Sequence, residues 1–158
     1  MAIDCYIKFD GVEGESSHKD HKGAVEVLSW NWGIATAGQV SGTSTGKGKT
    51  VAGPLSFVHL YDKASPLLAK QCAAGKLFKT VVLTSHQTGE GQKDFLQVSL
   101  KEVQVTSVQP SCVDGGEITE TVTLIYRDIE FAYKPQDGKG GLGVDVKFGW
   151  DVAAAQVR

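Results

Sequence analysis

Apolar residues recur at every second position along most of this chain, the period of a β-strand with one buried face. Ile3, Cys5, Ile7 and Phe9 share one face of the opening run, and Asp4, Tyr6 and Lys8 share the other. After a polar stretch from Gly11 to Gly23, a second strand is predicted from Val25 to Ile34. Its pattern changes phase: Val25 and Val27 fall at odd positions, Leu28, Trp30, Trp32 and Ile34 at even ones. One extra residue swaps the inward face, so the change predicts a bulge or a bend. The same change separates Leu96, Val98 and Leu100 from Val103 and Val105, and Val122, Leu124 and Tyr126 from Ile129, Phe131 and Tyr133. Val144, Val146, Phe148, Trp150 and Val152 alternate cleanly, and shorter strands are predicted at Leu55–Tyr61 and Phe78–His86. Long strands that bend and change face curl a sheet into a barrel or an orthogonal sandwich.

Helical character is confined to one segment. Ser65 is placed to act as N-cap, Pro66 fits the first turn, and Gly75 supplies the stop after Leu67–Ala74. The expected fold is therefore mainly β, a two-sheet β-barrel with bent strands and one short α-helix. A long Gly-, Ser- and Thr-rich extended loop spans Ala35 to Gly53. With Val40 and Val51 as nearly its whole apolar content, that loop cannot pack on itself and is expected to reach outside its own domain.

The chain has 158 residues, enough for one core and one domain covering 1–158. Nineteen glycines, well above the usual ~7%, fit a fold with many turns. Sixteen basic and eighteen acidic residues give a net charge of −2, without the clustered basic face expected of a nucleic-acid binder. The longest apolar runs are far shorter than the ~20 residues of a membrane span. Asp4 and Lys8 stand where a signal peptide would need its apolar centre. Cys5, Cys72 and Cys112 are odd in number and scattered, as expected of reduced thiols in a cytoplasmic chain.

Candidate chemistry is thin. Gly42-Thr43-Ser44-Thr45-Gly46 matches the G-x-S-x-G nucleophile pattern, but without the strand and helix that would strain and expose Ser44. Gly48-Lys49-Thr50 ends like a phosphate-binding loop, yet Thr43 stands where its first glycine belongs and Gly53-Pro54 follow at once. His18 and His21 lie in a polar stretch with no cysteine or third histidine nearby in sequence, which favours a solvated loop over a metal site. His59 and His86 fall within strand patterns and read as ordinary strand residues. No enzyme, metal site or cofactor is expected. Trp30 and Trp32 share one strand face and belong to the core, leaving Asn31 on the opposite face.

Several segments, in this order, give the chain a specific resemblance. They are Gly14-Glu15-Ser16, His21-Lys22, Val27-Leu28-Ser29-Trp30-Asn31-Trp32-Gly33, Asp62-Lys63-Ala64-Ser65-Pro66-Leu67-Leu68 and Cys72-Ala73-Ala74-Gly75-Lys76. Leu100-Lys101-Glu102-Val103, Glu120-Thr121-Val122-Thr123-Leu124, Tyr133-Lys134-Pro135-Gln136 and Gly149-Trp150-Asp151 continue it. Together they resemble the haemolysin-coregulated protein (Hcp) family, which forms the inner tube of the type VI secretion system.

The resemblance implies a homohexameric ring with a wide channel, stacked on further rings. It implies partners in the sheath, spike and baseplate of the secretion machine, and small effector cargo in the lumen. It also implies assembly in the cytoplasm followed by secretion without a signal peptide. By the same resemblance Asn31 is expected to face the lumen. Gly38, Val40, Gly42, Gly46, Lys47 and Lys49 are expected in a loop that touches the next ring. A monomeric barrel holding a small ligand in its interior is the alternative, and an enzyme resting on Ser44 or on His18 and His21 is a further one.

Overall fold

A computed structural model describes residues 2–38, 49–88, 93–135 and 143–158. Its strands are β1 (Ile3–Phe9), β2 (Val25–Asn31), β3 (Ile34–Thr36), β4 (Thr50–Ala52), β5 (Leu55–Leu60), β6 (Leu77–Gln87), β7 (Lys93–Cys112), β8 (Ile118–Tyr133), β9 (Val146–Asp151) and β10 (Gln156–Val157). A single helix among the described residues, α1 (Ser65–Ala74), separates β5 from β6. The main sheet runs β10-β9-β8-β5-β2-β1-β6-β7 and closes on itself where β7 pairs with β8. Six strands thus form a closed antiparallel barrel, and β9 and β10 extend from it.

The predicted changes of phase are where the sheet deforms. The β2–β5 register shifts between Val27 and Ser29, so Leu28 is turned outward and Trp30 inward. In β7 and β8 the bends coincide. Lys101 pairs with Asp128 and Val103 with Tyr126, and between them Glu102 adopts a positive φ of 50°. Buried Val98 and Leu100 precede this corner, and buried Val103 and Val105 follow it in opposite phase. The corner also divides the second edge of β8. Residues Thr119–Leu124 pair with β5, while Asp128–Tyr133 pair with β9.

The barrel interior is filled by Ile7, Phe9, Leu55, Phe57, Leu83 and Leu124, each essentially without solvent exposure. Phe9 lies 5.1 Å from Phe78 and 6.0 Å from Phe57 between ring centroids. The helix packs on β7 and inserts Leu68 into this core; burying such a side chain contributes about 1.5–3 kcal/mol.

Three local expectations need correction. Ser65 does not cap the helix. Its hydroxyl accepts a hydrogen bond from the Asp62 N–H (3.1 Å), while the Asp62 carboxylate accepts from the Ala64 N–H (2.9 Å), closing a turn ahead of the helix. Gly75 does end it, left-handed at φ 66°, with Gly75 N–H bonded to Cys72 O and Lys76 N–H to Gln71 O. Second, the stretch from Ala35 to Gly53 is not loop throughout. Its ends zip together as β3 and β4, pairing Ile34 with Ala52 and Thr36 with Thr50, because β-branched Ile, Thr and Val suit a strand even where nothing buries them. Third, Tyr6 is buried although it stands opposite Ile7 and Phe9 on β1, because the Gly11–Gly23 stretch folds over that outer face.

Candidate assembly surfaces and side-chain clusters

The β3–β4 ribbon is a separate two-stranded sheet outside the barrel ladder. Its root is fixed by a chain of hydrogen bonds: Trp32 Nε1–H donates to Tyr126 Oη (2.5 Å), whose hydroxyl donates to Gly53 O (2.7 Å). Burial pushes the Tyr126 phenol above its ordinary pKa, so it stays a donor. The Trp32 ring packs 4.9 Å from Phe131, and Gly53 N–H bonds to Gly33 O at 2.8 Å. On this ribbon Ile34 and Val51 are exposed. Gly38 and Lys49 stand exposed at its far end. Val40, Gly42, Gly46 and Lys47, with Ser44, lie outside the described residues. Thr50 begins a strand, whereas a phosphate-binding loop would open a helix there.

Asn31, the last residue of β2, pairs with Ser56 and is exposed, as expected for the face opposite the tryptophans. Trp30 and Trp32 are partly buried against the core.

Exposed apolar side chains form a band that sequence periodicity does not reveal. Leu77 pairs with Gln104, and Gln104 with Ile125, so the three lie side by side across β6, β7 and β8. Leu77, Ile125 and Val152 line one shallow depression, and Val152 shares a second groove with Val51 and Trp150. The four aliphatic residues Val51, Val152, Ile125 and Leu77 are 57%, 44%, 45% and 59% exposed. Such residues, set among Glu102, Gln104 and Arg127, make this face a candidate contact surface.

Beside the band, Arg158 holds Asp128 through two parallel hydrogen bonds, Nη1 to Oδ1 at 2.6 Å and Nη2 to Oδ2 at 2.8 Å. That bidentate contact lowers the Asp128 pKa below the usual carboxylate range, against the opposing effect of burial, and raises that of Arg158.

The histidines are paired in ways their sequence positions do not suggest. His59 Nε2 lies 2.8 Å from Glu120 Oε1, with both side chains in the core. His21 Nε2 and His86 Nδ1 converge on Asp94 Oδ1 at 2.8 and 2.7 Å. Burial opposes ionisation of Asp94, but these two hydrogen bonds outweigh it and hold its pKa below the ordinary value. Within this polar turn Lys19 and Asp20 are exposed, but the two imidazoles fold against the barrel, and the His21 ring stacks on Tyr6 at 4.6 Å and 8°.

A β-barrel with a buried apolar interior, a separate two-stranded ribbon and exposed aliphatic residues on its outer face has the features of a protein that works through its surface. The family model described as "Type VI secretion system effector, Hcp" matches residues 6–133. The chain is 39% identical over 157 residues to Protein hcp1 of Pseudomonas aeruginosa, covering 96% of each chain. It is also similar to a solved type six secretion system protein (TM-score 0.93, 30% identity, 99% of this chain and 100% of that one). The crystal structure of Hcp1 from Salmonella typhimurium matches over the whole of both chains, with a TM-score of 0.80 and 31% identity. The chain belongs to the Hcp family, the ring-forming tube proteins of the type VI secretion system.

Proposed function

We propose that this chain closes into a homohexameric ring through its apolar outer band, and that rings stack into the inner tube of the secretion machine. The observation that carries this is the run Val51–Val152–Ile125–Leu77, aliphatic and exposed across adjacent grooves. A closed ring repeats one heterologous contact around an axis, so one such patch and its complement set the whole assembly. The β3–β4 ribbon supports the second level of assembly. It ends in exposed Gly38 and Lys49, and with Val40, Gly42, Gly46 and Lys47 it makes the contact to the next ring. Asn31, on the outer face of β2, faces the channel, where small effectors travel. The sheath, spike and baseplate act on the finished tube, which assembles in the cytoplasm and is then secreted. The role is structural and needs no catalytic residue. The interior of the barrel is occupied by phenylalanine, leucine and isoleucine side chains, which disfavours a small ligand held there.

The experiment replaces Ile125 and Leu77 with Glu, singly and together. Association lost with the circular dichroism of the barrel retained supports the proposed interface, and association unchanged overturns it.

A further inference from the structure

The segment between β1 and β2 is tied down along its length. Gly14 N–H bonds to Gly23 O at 2.7 Å, Gly23 N–H to Ser16 O at 2.9 Å, and Ser16 N–H to Ala24 O at 3.0 Å. A Cβ on Gly14 would lie 2.5 Å from Ala24 O, so a larger residue cannot enter this turn. The consequence is that His18 and His21 are held in fixed positions over the outer face of β1 and β6. On that face stands His86, from β6. Opposite it the β6–β7 register shifts, so that Ser85 pairs with Leu96 but His86 pairs with Asp94. A bulge that re-aims one side chain is a common device beside functional sites, and here it brings Asp94 beneath two imidazoles.

Three chain segments therefore deliver one donor atom each from His21, His86 and Asp94, all within 4.8 Å of one another. His18 is a third imidazole in contact, its ring 4.8 Å from that of His86 and 5.5 Å from that of His21. The surroundings of His86 fix which of its atoms the site uses. The residue is 1% exposed, and while Nδ1 is held by Asp94, Nε2 is buried without a hydrogen-bond partner. An ion shared by His86 and Asp94 takes Nδ1, the ring atom that faces the carboxylate, and leaves Nε2 on the opposite edge of the ring outside the coordination. Access is from the Asp94 side, since the Asp94 side chain is 44% exposed.

We propose that His21, His86 and Asp94 bind one divalent transition-metal ion, fastening the Gly11–Gly23 segment to β6 and β7. Two imidazoles and one carboxylate suit zinc and its neighbours and do not suit magnesium or calcium, which take oxygen ligands. Water completes the coordination. The site is separate from the apolar band and does not depend on how rings form.

The test is calorimetric titration of the full, tag-free chain with zinc chloride, alone and in excess magnesium. Saturation at one zinc per chain, undiminished by magnesium, is expected. His21→Ala and Asp94→Asn should each weaken it by about 100-fold or more, while Ser replacements of Cys5, Cys72 and Cys112 leave it unchanged. His21 and Asp94 lie outside the core, so these variants test the site without emptying the barrel. In proton NMR, the ring signals of His21 and His86 should move with zinc ahead of His59. No saturable binding, binding unaffected by both His21→Ala and Asp94→Asn, or binding lost with a cysteine would overturn the proposal.

Discussion

His59 and Glu120 face each other across the β5–β8 ladder, Nε2 to Oε1 at 2.8 Å, with neither side chain reaching solvent. Such a pair is demanding, because each member satisfies a group that would otherwise be stranded in the core. Removing one partner of a buried pair costs about 3–5 kcal/mol, whereas replacing both with apolar residues of similar volume is often neutral or stabilising. Glu120→Ala should therefore lower the urea midpoint sharply. The double replacement His59→Leu with Glu120→Met should recover much of the loss. A single variant as stable as the wild type would mean that the contact is dispensable.

The bend shared by β7 and β8 turns on Glu102 at φ 50°. Left-handed backbone costs a residue with a side chain about 1–2 kcal/mol, and β-branched residues suffer most. Glu102→Gly should be tolerated to within about 1 kcal/mol, the relief of strain offsetting chain entropy and the exposed Arg127 contact at 3.3 Å. Glu102→Val should be clearly destabilising. Equilibrium unfolding of the two variants side by side measures the difference, which should favour glycine.

Arg158 lowers the pKa of Asp128, so the native state favours the ionised carboxylate more than the unfolded chain does. The stabilisation is then fully present above the unfolded value of about 3.9 and is lost as the pH falls through the lower native value. Asp128→Asn should reduce stability at neutral pH, and the gap from wild type should close as the pH drops below about 4. Urea midpoints from pH 7 to pH 2.5 check this, and a gap that stays constant over that range would contradict it.

Ring formation and stacking should separate genetically. Replacing residues 39–48 with a short Asn-Gly turn leaves the barrel, the β3–β4 root and the apolar band in place. The expected product is a single ring that no longer forms tubes, seen by negative-stain electron microscopy. Tubes that persist would remove Val40, Gly42, Gly46 and Lys47 from the ring-to-ring contact.

Much of this fold is legible in the residues because phase is a strict signal. The shift from Val27 to Leu28 marks the bulge in β2, and the shifts around Glu102 and Arg127 mark the shared corner. Each reports which side chains must reach the core. The β3–β4 ribbon is hidden because β3 is exposed throughout and β4 half-buries only Thr50 and Ala52, too little for an alternation to betray it. Ser65 has the composition of a cap, but Asp62 three residues earlier claims its hydroxyl and closes the turn itself. The His21–His86–Asp94 cluster is beyond local reading. Its members meet only through the folding of the Gly11–Gly23 segment over β1 and the bulge in β6 and β7. The apolar band is likewise assembled from four separate segments, and no stretch of sequence contains it.

The native mass of the purified full chain, by light scattering with electron micrographs of the same peak, tests the central claim most directly. Six copies of 16.8 kDa give about 101 kDa, and that species seen as open rings is the predicted result. A particle that remains at 16.8 kDa at high concentration would contradict self-assembly through the apolar band.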